Sequence, residues 1–417
     1  MEVRPGYKQT EVGVIPRDWD VAMLGECLAE RPNYGINAPA VPYSPTLPTY
    51  IRITDIADDG KFSPAPLVSV KSEEAPHYYL IEGDIAFART GASVGKSYRY
   101  NPKDGPLVFA GFLIRIRLNP QKLASAFAAA YVTTDSYWQW VRMMSMRSGQ
   151  PGINGHEYCQ LPIPVPSLKE QCAIASALCD MDALLDGLDR LIAKKRAIKQ
   201  ATMQQLLTGQ TRLPGFSGEW DMKLLGDVAE VKTGPFGSLL HERDYVSDGV
   251  PIITVEHLGE FGVEHVNLPM VSEEDCKRLN AYSLRVGDIV FSRVGSVDRN
   301  ALIRKSEDGW LFSGRLLRVR PNEICINAMF LSYQFHSEKF KLAVRSVAVG
   351  QTMASLNTKI LNEIQINLPS ISEQTAIATI LSDMDTEITA LETRRTKTRA
   401  LKQAMMQELL TGTTRLV

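Results

Sequence analysis

The spacing of apolar positions along this chain changes from strand-like to helical twice, in the same order each time. Short strand-like runs occupy residues 85–88 and 113–117, and again 252–255, 289–292 and 316–320. Helical stretches at 124–132 and 328–335 are interspersed among them. Strand and helix patterns alternate irregularly, which predicts α+β domains rather than a doubly wound sheet. After each such region the spacing becomes 4-3-4-3: Ile174, Leu178, Met181, Leu185, Leu188 and Ile192 first, then Ile377, Leu381, Met384, Ile388 and Leu391. That is the seam of a coiled coil. The seam then loosens, with Lys195 and Lys199, or Arg395 and Thr398, at seam positions before Leu206 and Leu409 resume it. Ser167 with Glu170, and Ser370 with Glu373, fit the capping box that opens a helix. Thr208-Gly209 and Thr411-Gly412 supply glycine stops. The pattern predicts two helices of about 40 residues, each about 60 Å long.

These two helical stretches are near-copies. Residues 166–182 and 369–385 match at 11 of 17 positions, and residues 197–213 and 400–416 at 13 of 17, both at an offset of 203. Between them the match is weaker but ordered. Gly83-Asp84-Ile85-Ala86-Phe87-Ala88-Arg89 returns as Gly287-Asp288-Ile289-Val290-Phe291-Ser292-Arg293, with Gly91 against Gly295. Residues 111–117 likewise return as 314–320, and Gly149-Gln150 as Gly350-Gln351. A period near 200 residues is too long for a solenoid. The unit is one domain plus one helix, used twice: a first domain over 1–166, a helix over 167–213, a second domain over 214–369 and a second helix over 370–417. Two equal helices in one chain are expected to pair antiparallel, as a rod with a domain at each end. Helices that repeat better than the domains suggest a partner touching both.

Composition excludes more than it identifies. The 417 residues carry 46 Lys and Arg against 47 Asp and Glu, a formal charge of −1, with 44% hydrophobic and 22% charged positions. This is an ordinary globular composition, neither disordered nor polybasic. No apolar run approaches the ~18 residues of a membrane span. Met1-Glu2-Val3-Arg4-Pro5-Gly6 lacks the apolar core of a signal peptide. Six cysteines without a CxxC or a regular framework favour a reducing cytoplasm. The six histidines show neither HExxH nor metal spacing, so no metal site is expected. Gly91-Ala92-Ser93-Val94-Gly95-Lys96-Ser97 resembles a phosphate loop but has three residues, not four, before Gly-Lys-Ser, and the second copy has no Gly-Lys. No nucleophile elbow or methyltransferase signature occurs, so no catalytic residue is expected.

Charge distribution is more informative than net charge. Residues 89–117 carry six basic side chains against Asp104 alone, and residues 293–320 carry seven against Asp298, Glu307 and Asp308. The domains around them are neutral or acidic: 16 basic and 16 acidic over 1–166, 17 and 20 over 214–369. Basic residues beside glycines at matched places suggest contact with phosphates and base edges. The candidates are Arg89, Gly91, Ser93, Lys96, Arg115, Arg117 and Gln150, and Arg293, Gly295, Ser296, Arg315, Arg318, Arg320 and Gln351.

Together these features resemble the specificity subunit of type I restriction-modification systems, over essentially the whole chain. The carrying residues are Tyr7 through Trp19 and the mid-chain Arg212-Leu213-Pro214-Gly215-Phe216-Ser217-Gly218-Glu219-Trp220. To these add the P-S-x-x-E-Q-x-A-I-A helix starts and the L-L-T-G-x-T-R-L helix ends, each present twice. The resemblance implies two target-recognition domains, each reading half of a bipartite, asymmetric DNA site, and two antiparallel helices that set the gap. It implies that the helices hold two modification subunits carrying S-adenosylmethionine, and that restriction subunits using ATP and Mg join them. This chain would itself be non-catalytic and hold no cofactor. Two alternatives stand beside it: a specificity subunit of a methylation or phage-defence system without a nuclease partner, and a coiled-coil adaptor whose domains bind proteins.

Overall fold

A computed structural model describes residues 4–147, 149–259, 262–348 and 355–416. The chain packs as two compact units, Met1–Asp189 with Thr393–Val417, and Arg190–Glu392. Each unit therefore takes one half of each of the two long helices, Leu168–Leu206 and Ile371–Leu410. At 39 and 40 residues these helices are each about 60 Å long.

The same sheets are built in both units. In the first, an antiparallel sheet runs Asn33–Tyr34, Leu113–Arg117, Asp84–Ala88, Ser97–Arg99. Its counterpart in the second runs Ala229–Thr233, Leu316–Pro321, Ile289–Ser292, Asn300–Leu302. A second four-stranded sheet in each unit contains one parallel pair: Leu107–Phe109 with Thr49–Ile51, and Leu311–Phe312 with Val250–Ile253. A two-stranded antiparallel piece joins Asp20–Met23 to Pro162–Val165, and Asp221–Leu224 to Gln365–Leu368. Among the described residues, only the first unit adds a hairpin of this kind, Tyr7–Thr10 with Gly13–Pro16.

The runs at 85–88 and 289–291 read as continuous because these strands are buried on both faces. Along Asp84–Ala88, Ile85 and Phe87 face a core that includes Trp19, Ile174, Leu178 and Leu409. Ala86 and Ala88 face a second core with Ile51, Leu107 and Phe109. The second unit repeats this division. Ile289 and Phe291 pack with Leu206, Ile377 and Leu381, while Val290 packs with Ile253, Ala301 and Phe312.

Within each unit the helices pair antiparallel. In the first, Lys402 reaches Asp182 at 2.6 Å and Arg395 reaches Asp189 at 2.9 Å, so partner numbers fall as the others rise. In the second, Lys195 reaches Glu387 at 2.7 Å, Arg196 reaches Glu392 at 2.5 Å, and Lys199 binds Asp385. Of the seam positions, Ile174, Leu178, Leu185, Leu188, Ile377, Leu381 and Ile388 are buried. Met181, Met384 and Leu391 are half-buried. The loosened stretch of the seam is where the interhelical ion pairs lie. Lys199 is 4% exposed, and its ammonium also lies over the Tyr333 ring at 5.4 Å. The Tyr333 hydroxyl donates to Asp385 at 2.7 Å.

The capping boxes predicted at the helix starts are only half formed. The Ser167 and Ser370 hydroxyls do accept from the Glu170 and Glu373 backbone amides, each at 3.3 Å. Neither glutamate returns to its cap, because each carboxylate is taken by the end of the other helix. In the first unit Arg415 binds Glu170 and, at 3.0 and 2.9 Å, Asp18, with its guanidinium over the Trp19 ring. The Trp19 indole also donates to Glu170, at 3.1 Å. In the second, Arg212 binds Glu373 at 2.7 and 2.6 Å over the Trp220 ring. The neighbouring glutamines match as well. Gln171 accepts from the Ala124 amide and donates to the Lys122 and Pro166 carbonyls; Gln374 does the same with Asn327, Cys325 and Pro369. The P-S-x-x-E-Q starts and T-R-L ends thus repeat because each start meets an end across the antiparallel pair. Gly412 belongs to this contact: its φ is +69°, and a Cβ there would fall 2.5 Å from Pro16.

Glu170 is 1% exposed, so removing its cation leaves a buried charge with the Trp19 indole as its remaining side-chain donor. Arg415→Ala is expected to cost about 3 kcal/mol, a fall in Tm of roughly 6–12 °C for a unit this size. A thermal scan showing a fall under about 2 °C would contradict this reading of the repeat.

Candidate nucleic-acid interface

The matched basic stretches do not form one continuous basic surface, because many of their charges are neutralised by residues elsewhere in sequence. Arg115 is 7% exposed and binds Glu30, and Arg318 is 2% exposed and binds Glu230 at 2.9 Å. Burial pushes the Arg318 guanidinium below its ordinary pKa, with Arg320 close by adding to the effect. Arg117 makes a two-bond pair with Asp84 at 2.8 and 2.9 Å, and Arg320 with Asp288 at 2.7 and 2.6 Å. Hydrogen bonding to these aspartates raises the pKa of both arginines. Lys96 is held by Asp58 at 2.7 Å, which lowers the Asp58 pKa. Counting charge along the sequence could not register these pairs, since Glu30, Asp58, Asp84, Glu230 and Asp288 all lie outside the two stretches. The Gly-Asp-Ile motif is thus an internal brace: its aspartate anchors the arginine that closes the neighbouring strand.

Arg89 in the first unit, and Arg293 and Arg315 in the second, lie at one end of the antiparallel four-stranded sheet of their unit. In the first unit Arg89 follows the strand Asp84–Ala88, and its guanidinium lies over the Tyr34 ring at 5.0 Å. The turn behind it needs Gly91, whose φ is +73°. The Gly91 amide donates to the Pro151 carbonyl at 3.0 Å, Thr90 pairs with Gly152, and a Cβ on Gly91 would sit 3.0 Å from the Gln150 amide nitrogen. Gln150 is thus brought beside Arg89 and Gly91. The loop carrying it is braced by Arg147 on Glu157, with both contacts at 2.6 Å. Ser93 is half-buried in the short turn Gly91–Ser93.

The second unit repeats the arrangement. Arg293 follows Ile289–Ser292 and lies over the Phe236 ring at 6.0 Å. Gly295 has φ +74°, and Val294 pairs with Ser355 as Thr90 does with Gly152. Ser296 and Arg315 are exposed. Gln351 lies outside the described residues. Among the described residues, no carboxylate lies within ion-pair distance of Arg89, Arg293 or Arg315. An exposed aromatic beside an uncompensated guanidinium is suited to phosphate, base edge or base face.

Tyr34 and Phe236, 39% and 62% exposed, were missed by the sequence reading. The available signal was an aromatic beside a glycine in each copy, Tyr34-Gly35 and Gly234-Pro235-Phe236. A Cβ on Gly35 would lie 2.2 Å from the Ala110 carbonyl oxygen, and one on Gly234 2.1 Å from that of Ser313. The two aromatics are offset by three places within the repeat, Tyr34 matching Thr233 in strand register, which hides their shared role.

The Gly-Lys-Ser stretch forms an antiparallel hairpin, Asp84–Ala88 to Ser97–Arg99, with no helix after the glycines. Among the described residues, no group of three or more His, Cys, Asp or Glu is arranged to hold a metal ion. Among them, too, no helix is long and apolar enough to cross a membrane.

Comparison with known proteins agrees with this repeated architecture. The chain is 26% identical over 432 residues to the type I restriction enzyme MjaX specificity subunit of Methanocaldococcus jannaschii, covering 97% of this chain and 96% of that one. It is 21% identical over 416 residues to the MjaVIII specificity subunit of the same organism, covering 95% and 93%. The solved S subunit of the type I restriction-modification system of M. genitalium has the same fold, with a TM-score of 0.60 at 15% identity and 98% of each chain covered. A chain from a structure of a type I R-M system, solved to explain its assembly and conformational transition, gives 0.56 at 18%, covering 95% and 99%. The profile of the type I restriction modification DNA specificity domain matches twice, at residues 48–198 and 217–400. The chain therefore belongs to the family of type I restriction-modification DNA specificity proteins.

Proposed function

We propose that this chain is the DNA-recognition subunit of a type I restriction-modification complex, each unit reading one half of a bipartite site. The observation that carries this is the recurrence, in two units of one fold, of an uncompensated arginine stacked on an exposed aromatic beside a positive-φ glycine. The loops around these clusters differ between the units, which suits an asymmetric target. The contacts with DNA come from Arg89, Gly91 and Gln150 in one unit and from Arg293, Gly295, Ser296 and Arg315 in the other. Arg115, Arg117, Arg318 and Arg320 act from within the sheet, by holding those strands in place.

The chain works without catalysis and without a cofactor of its own. Two modification subunits dock on the paired helices and supply S-adenosylmethionine and methyl transfer, and restriction subunits supply ATP-driven cleavage. The helices set the spacing between the half-sites. The complex works in the cytoplasm.

The test is a binding titration of the chain co-purified with its modification subunits, on random-sequence duplexes at several salt concentrations. Selective retention of one bipartite sequence, with affinity falling steeply as salt rises, is the result expected. Equal retention of all duplexes, or none, would overturn the proposal.

A further inference from the structure

The turn next to each arginine cluster carries a different side chain in the two units. In the first, Ala110-Gly111-Phe112-Leu113 closes with the Leu113 amide on the Ala110 carbonyl at 2.8 Å. In the second, Ser313-Gly314-Arg315-Leu316 closes with the Leu316 amide on the Ser313 carbonyl at 2.9 Å. The third residue is fixed to the cluster in both: Arg89 donates its amide to the Phe112 carbonyl at 3.0 Å, and Arg293 donates to Arg315 at 2.9 Å. Gly314 leaves no room for a side chain, since a Cβ would lie 2.5 Å from the Pro235 carbonyl oxygen. Phe112 and Arg315 therefore occupy one position of one fold, at a backbone held by hydrogen bonds on both sides. Phe112 is 59% exposed, and Arg315 is exposed with no carboxylate near it among the described residues.

We infer that this position determines base specificity, with Arg315 reading a guanine in the half-site of the second unit. The inference rests on the DNA-recognition role proposed above. Guanidinium is the side chain that forms two parallel hydrogen bonds with O6 and N7 of guanine in the major groove. A rigid turn suits such a contact, because base discrimination requires that the fork be aimed rather than merely attracted. Arg293 sits beside it, stacked on Phe236 and donating to the Gly314 carbonyl at 3.4 Å, and is suited to the adjoining phosphate. In the first unit, Phe112 offers apolar contact and no hydrogen bond, so the equivalent step of that half-site is read by a thymine methyl or by stacking. The two halves of the target then differ at this step because the turns differ.

The experiment is selection of bound duplexes from a random library by the chain with its modification subunits, comparing wild type with Arg315→Ala and Arg315→Gln. For wild type, one position of the half-site read by the second unit is expected to require guanine. Arg315→Ala should lose that preference, a change of about tenfold or more, while the other positions keep theirs. Arg315→Gln should shift the preference toward adenine, which a glutamine amide can pair with at N6 and N7. Uniform weakening with every base preference retained would make Arg315 a phosphate contact and overturn the inference, as would binding identical to wild type. Loss of preference at every position would also overturn it, by giving the turn a merely structural role. Absence of any selected sequence for wild type would instead remove the recognition role itself.

Discussion

Asp84→Ala is expected to destabilise the first unit by about 3–5 kcal/mol, and Asp288→Ala to do the same to the second. These aspartates are 0% and 1% exposed, and each carboxylate closes two structural contacts at once. Asp84 takes both donors of Arg117 and the Ile81 amide at 3.0 Å; Asp288 takes both donors of Arg320 and the Arg285 amide at 2.8 Å. Alanine removes the anion and leaves the guanidinium and a backbone amide without it, each arginine side chain being about a quarter exposed and Arg117 keeping Glu30 at 3.2 Å. Breaking one side of such a pair costs more than the pair is worth as a whole, because the freed groups are only partly resolvated. Denaturant titration measures the loss directly. A change below about 1 kcal/mol would show that the Gly-Asp-Ile motif does not brace the sheet.

The double variant Arg89→Ala with Arg293→Ala is expected to fold normally and to lose target binding by at least about thirtyfold, with the salt slope reduced by about two. Both arginines are half-buried against an exposed aromatic ring, and neither has a carboxylate whose charge would be stranded by the change. The same substitution at Arg115 or Arg318 is expected to act differently, through stability, since those side chains are buried against Glu30 and Glu230. Equilibrium binding at three or more salt concentrations separates the two behaviours. An unchanged slope in the double variant would place the DNA-contacting surface elsewhere.

The contrast between these two sets of arginines marks where the sequence was readable and where it was not. Residues 85–88 and 289–291 read as strands because both their faces are buried, and that burial writes itself into the chain as uninterrupted apolar residues. The long helices were legible through their 4-3-4-3 seam, whose members Ile174, Leu178, Ile377 and Leu381 pack as that spacing requires. The function of Glu170 and Glu373 was not legible. A serine three residues before a glutamate fits a local cap, but an arginine more than 150 positions away in either direction outcompetes it. Charge pairing across strands is hidden for the same reason. The ladder sets Asn33 opposite Arg115, which brings Glu30 to an arginine 85 positions away. The basic stretches were real, but the fold uses several of their strand residues internally and leaves Arg89, Arg293 and Arg315 without a carboxylate among the described residues. Tyr34 and Phe236 escaped because they reach the same place from positions that do not align.

The near-zero net charge fits this division. Several charges of the matched basic stretches pair off inside their own unit, while Arg89, Arg293 and Arg315 have no carboxylate within ion-pair distance among the described residues, which favours selectivity over indiscriminate affinity for a polyanion. The central claim is that each unit reads its own half of one DNA site. Its most direct test is mapping of methylated adenines across the genome in cells with the gene, without it, and with Arg315→Gln. The account predicts one bipartite methylated sequence that vanishes without the gene and changes in only one half with the variant. Methylation unaffected by loss of the gene, or changed in both halves by the single substitution, would contradict it.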